Sequence, residues 1–297
     1  MKRETRAIQV AIACSVLGAA TKLTVGFITG SMSMITSAVD SLGDLFISVV
    51  NLFVIRVAAE APDEEHNYGH HKIEGLGAMF EGGFIFAAAC FIIYEAIHKI
   101  TVGEVSHDSV LGIVVMLPIL AMTFGTVTFL RKVAKETGSL VVKADALHYM
   151  TDVWVNVGVL VSLLLVKLTG KPIVDSIISI GIALYMIYSS IHVLKEGFGL
   201  VMDKSLEPDV VKKLTSVLTE CRQIQGFHEL KTRAGRIPYV DFHIEVRPDM
   251  TAKEIHDLYL VLRGKMREIA GEETMVLMHT DPTGIEEKAP SPPLEVT

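Results

Sequence analysis

Hydrophobic positions along this chain fall into six long stretches, followed by a region in which they recur only at intervals. The stretches cover 8–29, 33–58, 75–99, 109–130, 140–167 and 173–197, each long enough as an α-helix to cross a hydrocarbon core of about 30 Å. The first is too long for a removable leader and lacks its small-residue cleavage pattern, so it is expected to persist as a helix. Beyond 205 charges become frequent and no stretch is long enough to cross a bilayer. There, 207–222 has helical periodicity, 226–233 and 238–247 alternate or carry β-branched residues, 251–269 is again helical, and 274–280 reads as a strand. The predicted order is αββαβ, a small α+β domain with helices on one face of a three-stranded sheet. The expected division is a six-helix transmembrane domain over 1–204, a soluble domain over 205–282, and a proline-rich, acidic, disordered tail over 283–297.

Composition agrees with a multispanning membrane protein. Of the 297 residues 50% are hydrophobic and 21% charged, and the mean hydropathy is +0.45. With the N-terminus inside, the inner segments carry Lys2, Arg3, Arg6, Arg56, Lys72, Arg131, Lys132, Lys135, Lys195 and Lys204, while the outer loops carry Lys99, Lys167 and Lys171. The positive-inside rule therefore puts both termini in the cytoplasm. A net charge of −7, without a basic stripe in the soluble part, argues against nucleic acid as a partner. Cys14, Cys90 and Cys221 are scattered, odd in number and free of any C-x-x-C pattern. They point neither to a disulfide framework nor to a thiolate metal site.

Ionisable residues inside the apolar stretches change the picture most. Asp40 and Asp44 lie in SAVDSLGDLF, and His148 and Asp152 in DALHYMTDVW. Spacing of i, i+4 puts each pair on one helix face, and ionisable groups in hydrocarbon are costly unless they face one another or an ion. Asp40 and Asp44 fall roughly 10 and 16 Å from the outer end of the second helix, His148 and Asp152 roughly 12 and 18 Å from the inner end of the fifth. The depths overlap, with Asp40 level with Asp152 and Asp44 level with His148. Structural hydrogen bonding within a bundle is the alternative, and four such residues at matched depth favour a cation site. Three carboxylates and one imidazole suit Zn²⁺ better than Mg²⁺ or Ca²⁺, although a carboxylate-rich site also accepts Fe²⁺ or Mn²⁺. These ligands also bind protons, so a proton can displace the cation and a proton gradient can drive its transport.

Two further groups have donor chemistry. Asp63, His66 and His70 follow the second stretch at metal-ligand spacing, with Glu64, Glu65 and His71 beside them; alone, such a loop is more often simply solvated. His228, His243, His256, His279 and Asp281 recur on different elements of the soluble domain. Lys22 is expected to snorkel to a membrane surface, and Asp175 to begin a helix. Asn51 and Asn156, near the faces of the metal pairs, either support the ligands or bind adjacent helices, the second being favoured. Glu81, two turns into the third helix, is protonated, bonded to a neighbouring helix, or on a water-filled route. Gly75, Gly77, Gly82 and Gly83 permit close helix packing.

The two membrane pairs, the PDEEHNYGHHK loop, and the GFHELKTR and MHTDP segments together resemble the cation diffusion facilitator family of divalent-metal/proton antiporters, within it the bacterial zinc and ferrous-iron efflux type. The resemblance covers nearly the whole chain. It implies a ferredoxin- or metallochaperone-like soluble domain and a homodimer in the bacterial inner membrane that alternates between inward- and outward-facing states. Asp40, Asp44, His148 and Asp152 would be the transport site for export of Zn²⁺, with Cd²⁺, Fe²⁺ and Mn²⁺ as other substrates and no organic or redox cofactor. Asp63, His66 and His70 resemble a second metal site that tunes transport. His228, His243, His256, His279 and Asp281 correspond to a binuclear site at the dimer interface, where metal would link cytoplasmic metal level to conformation. Lys72 and Asp203 match an interlocking salt bridge. The sequence departs from zinc-type relatives at Glu81, where they commonly hold an uncharged residue. An enzyme is disfavoured because H-E-x-x-H is absent and both aspartates of the second helix share one segment. A metal sensor without transport is disfavoured by the mid-membrane site.

Overall fold

A computed structural model describes residues 2–29, 32–102, 110–169 and 173–284. The chain divides into two units, Met1–Met202 and Asp203–Thr297.

The first unit consists of α1 (Lys2–Thr29), α2 (Met32–Ala58), α3 (Ile73–Val102), α4 (Val110–Thr137), α5 (Leu140–Thr169) and α6 (Ile173–Val201). Among the described residues α1, α2, α3, α4 and α6 contain segments long and apolar enough to cross a membrane. The remaining helix, α5, spans 30 residues and carries Lys143, Asp145, His148 and Asp152 in its first half. Phe27, Ile28, Leu168 and Tyr188 are exposed by 73 to 79%. Apolar side chains turned outward in this way belong against lipid.

Packing divides the helices into four and two. Ala7, Ile8 and Ala11 of α1, Val54 and Ile55 of α2, Val127 and Leu130 of α4, and Val142, Ala146 and Tyr149 of α5 share one core. Helices α3 and α6 instead pair through Ile85, Ala89, Ala183 and Met186. Gly75 and Gly197 let those two backbones approach: a Cβ at Gly197 would lie 2.7 Å from the Gly75 carbonyl oxygen, and one at Gly75 would lie 2.8 Å from that of Gly197. Gly77 packs on Val54 and Val141, and Gly82 on Leu194, whereas a Cβ at Gly83 would meet nothing within 4 Å. Within one protomer Gly83 therefore makes no close helix contact.

Helices α4 and α5 are joined by a two-residue turn that sets the register of α5. Gly138, at φ +68°, closes α4 with its N–H on the Ala134 carbonyl at 2.9 Å. Ser139 Oγ accepts from Val142 N–H at 3.4 Å and donates to Glu74 Oε2 at 2.8 Å. The Leu140 N–H also donates to Glu74 Oε2, at 3.1 Å. An acidic group at a helix N-terminus satisfies free N–H groups and complements the helix dipole.

In the second unit, α7 (Pro208–Thr219), β1 (Gly226–Arg233), β2 (Tyr239–Val246), α8 (Ala252–Ala270) and β3 (Met275–Pro282) follow the expected αββαβ order. The sheet runs β1-β2-β3, with β1 antiparallel and β3 parallel to β2. A parallel pair needs a crossover, which α8 supplies. Its start is a capping box, with Glu254 N–H donating to Thr251 Oγ1 at 3.3 Å and Thr251 N–H to Glu254 Oε2 at 2.7 Å. Alternation along β2 buries Val240, Phe242, Ile244 and Val246 against Leu214 and Leu218 of α7 and Leu258, Leu262 and Met266 of α8. Strand β3 continues through Pro282, beyond the expected end, and Thr283 N–H donates to the Val246 carbonyl at 2.9 Å. The rest of the expected tail, 285–297, lies outside the described residues.

Candidate metal centres

Inside the helical unit, Asp44 on α2 faces His148 and Asp152 on α5. His148 Nε2 lies 3.0 Å from Asp44 Oδ1 and 4.0 Å from Asp152 Oδ2. One ligand atom from each of the three lies within 4.8 Å of the others, the spread that a single divalent ion spans. His148 is buried, while Asp44 and Asp152 are partly accessible. Asp40 stands one turn before Asp44 on α2, and its side chain lies outside the described residues. Tyr149, the residue after His148, ties three helices together: its hydroxyl lies 2.6 Å from Ser15 Oγ and 3.1 Å from Ser48 Oγ, and donates to the Ala11 carbonyl at 3.0 Å. A locked neighbour of this kind holds the imidazole at a fixed depth.

One expectation around this cluster is corrected, at Asn156. Lys22 Nζ donates to Ser41 Oγ at 2.8 Å, Ser41 standing between Asp40 and Asp44 along α2. Among the described residues Asn156 bonds no adjacent helix; it donates to the Asp152 carbonyl of its own helix at 2.7 Å. Asn51 does bridge helices, with Nδ2 3.1 Å from Glu81 Oε2 and 3.2 Å from Asp145 Oδ1.

The loop after α2 gathers Asp63, His66 and His70. His70 Nε2 lies 3.2 Å from Asp63 Oδ2 and 3.1 Å from His66 Nδ1, and His66 Nδ1 lies 3.4 Å from Asp63 Oδ1. Asp63 Oδ1 also accepts the N–H groups of Glu65 and His66, an Asx turn that folds the segment back. Gly69, at φ +80°, completes the reversal that brings His70 over His66. The His66 N–H, foremost, holds the Asp63 carboxyl below the usual carboxylate range, aided by His70, His66 and the Glu65 N–H and opposed by desolvation. Glu64, Glu65 and His71 do not enter this cluster.

On the sheet, strand register assembles the third group. His228 of β1 is paired with His243 of β2, and His243 with His279 of β3, so three imidazoles form a row across the sheet. Ring centroids are 5.0 Å and 4.6 Å apart along that row. Asp281, two residues after His279 and hence on the same face, lies 3.5 Å from His228 Nε2, 3.3 Å from His243 Nδ1 and 3.1 Å from His279 Nε2. Glu245, two residues after His243, lies 3.6 Å from His228 Nδ1. His228, His243 and Asp281 meet the geometry for one ion. His256 is exposed on α8, the helix packed on the opposite face of the sheet, and is not brought to the row. Asp203, at φ +56°, is 3.4 Å from Arg233 within the second unit, whereas Lys72 belongs to the first.

Residues 8–202 match the cation efflux transmembrane domain, and residues 206–283 match the cytoplasmic domain of cation efflux proteins. The chain belongs to the cation diffusion facilitator family. It is 34% identical over 259 residues to the cation-efflux pump FieF of Yersinia enterocolitica, an overlap of 86% of this chain and 85% of the relative. The same values hold for the FieF pump of Yersinia pestis strain Pestoides F. The metal-bound C-terminal domain of the CzcD transporter from Thermotoga maritima is 23% identical, covering 28% of this chain and 100% of that chain with a TM-score of 0.25. As a member of this family the protein is an integral membrane protein that carries out divalent cation efflux.

Three polar groups of this family member escaped sequence reasoning. Asp145 is one of them, three residues before His148 on the same face of α5; an i, i+3 reading back from the histidine would have exposed it. Glu245 follows His243 at strand period. Glu74 leaves no local signal, because its partner Ser139 is 65 residues away.

Proposed function

We propose that this protein exports Zn²⁺ from the cytoplasm in exchange for protons, through a transport site made by Asp40, Asp44, His148 and Asp152. The observation that carries the reading is the convergence of Asp44, His148 and Asp152 from two apolar helices upon one position, in a chain of the cation efflux family. One imidazole with carboxylates suits zinc; Cd²⁺, Fe²⁺ and Mn²⁺ are the competing substrates. Metal requires ionised carboxylates and a free imidazole nitrogen, so cation and proton compete for the same atoms. Proton entry from one side and metal entry from the other then make alternating access an antiport cycle. The distribution of Lys and Arg supports both termini in the cytoplasm and location in the bacterial inner membrane.

The functional unit is a homodimer. Its row of His228, His243 and His279 with Asp281 takes metal and strengthens association through the cytoplasmic domains. Asp63, His66 and His70 form a loop site that tunes transport, and Lys72 with Asp203 interlocks the protomers. Uptake into proteoliposomes across an imposed pH gradient tests the reading, with Zn²⁺, Cd²⁺, Fe²⁺ and Mn²⁺ supplied separately to wild type and Asp44→Ala. Proton-linked Zn²⁺ flux that vanishes in the variant is expected. Metal binding without any flux would identify a sensor instead.

A further inference from the structure

Glu81 on α3, Asp145 on α5 and Asn51 on α2 form a polar cluster that the transport ligands do not include. All three are 0% exposed. The Asn51 amide donates to one oxygen of each carboxyl group, at 3.1 and 3.2 Å. One amide group thus holds the two buried carboxyl groups side by side. Carboxylates are acceptors only, and two of them buried on one amide repel each other, so a proton on one of them relieves the pair. Glu81 Oε1, Asp145 Oδ2 and Asn51 Oδ1 are buried without a hydrogen-bond partner. Three acceptors so placed are costly for a purely structural network, which would be fully satisfied, and a proton on the pair supplies a donor that lowers that cost.

The ionisable groups acting on this pair are His148 and Asp152 on α5, Asp44 on α2 and the Tyr149 hydroxyl on α5. Asp145 and His148 share a helix face three residues apart, so the charge of an ion at the transport site reaches the pair over roughly one helical turn, about 5 Å. We propose that Glu81 and Asp145, bridged by Asn51, form a proton-binding site separate from the metal ligands. It holds one proton while the transport site is empty and loses it when a divalent cation binds Asp44, His148 and Asp152. The bond that breaks is the carboxyl O–H, and the proton leaves to the aqueous side then accessible. The pair passes from one negative charge to two, which offsets part of the charge of the incoming ion. The proton count per ion thus rises by one beyond what the ligands release. This inference rests on the transport reading above.

Proton release is counted with a pH indicator as Zn²⁺ is added to the purified full-length protein in weak buffer, and Zn²⁺ affinity is measured across a pH series. Glu81→Gln is expected to release about one proton fewer per bound ion and to lower the pH slope of log affinity by about one, with Glu81→Asp restoring both. An unchanged count and slope in a Zn²⁺-binding Glu81→Gln protein overturns the proposal. Loss of a bound ion, without loss of a proton, overturns it by making the cluster a metal site. The wild-type protein supplies a check free of any folding defect: a protonated-carboxyl infrared band is expected to disappear on Zn²⁺ addition, and a band that stays overturns the proposal. A wild type that neither binds Zn²⁺ nor moves protons removes the transport reading itself, and this inference with it.

Discussion

The helix cluster of Asp44, His148 and Asp152 and the sheet row of His228, His243, His279 and Asp281 use the same donors in opposite surroundings. On the sheet the imidazoles stand on a half-exposed face, where water stabilises them whether or not metal is bound. Between helices, His148 is buried against Asp44 and a second carboxyl pair lies one turn away. Charges there are tolerated only when a cation or a proton balances them. On the proposed reading the difference teaches that burial, not ligand identity, ties metal binding to proton movement. On that reading the first cluster exchanges ions and the second holds one.

The largest effect expected from this contrast is at Asp44. Asp44→Ala should lower metal flux by more than about 100-fold, since loss even of groups supporting a ligand costs 10- to 100-fold; residual flux near wild type would break the comparison. His243→Ala should instead abolish metal binding by the soluble domain and weaken dimerisation at low protein concentration, leaving flux within about threefold of wild type. Flux and a metal-dependent association assay measure the two, and unchanged dimer stability in a His243→Ala, His279→Ala protein would refute the regulatory role.

Scaffold changes sharpen the comparison at smaller scale. Gly197→Ala drives a methyl group into the Gly75 carbonyl and Met79, so it should destabilise the α3–α6 pair by about 1–3 kcal/mol, seen as a lower melting temperature in detergent. Thr251→Ala removes the cap of α8, the crossover behind the sheet row, at a cost of about 1 kcal/mol, read by denaturation of the soluble unit. The loop gives the smallest effect. The Asp63 carboxyl is held below the usual range chiefly by the His66 N–H, so its contribution is complete above the ordinary carboxylate range and is lost as pH falls through the depressed value. Protection of the His66 amide, measured as its exchange relative to the intrinsic rate at each pH, should therefore hold at neutral pH and be lost only in acid.

Periodicity alone determined the six long helices of the first unit, the αββαβ order of the second and the facing of Asp44 on α2 with His148 and Asp152 on α5, because hydrophobic burial and i, i+4 geometry are written locally. It also marked His228, His243, His279 and Asp281 as donors. Only the tertiary structure decided that three of these histidines share a row while His256 sits behind the sheet, since strand register and the handover to α8 depend on long-range pairing. In the same way Lys22 turned to Ser41, Asn51 joined Glu81 to Asp145, and Glu74 capped α5. A buried polar group takes whichever partner packing brings within reach, and that choice is made between helices far apart in the chain.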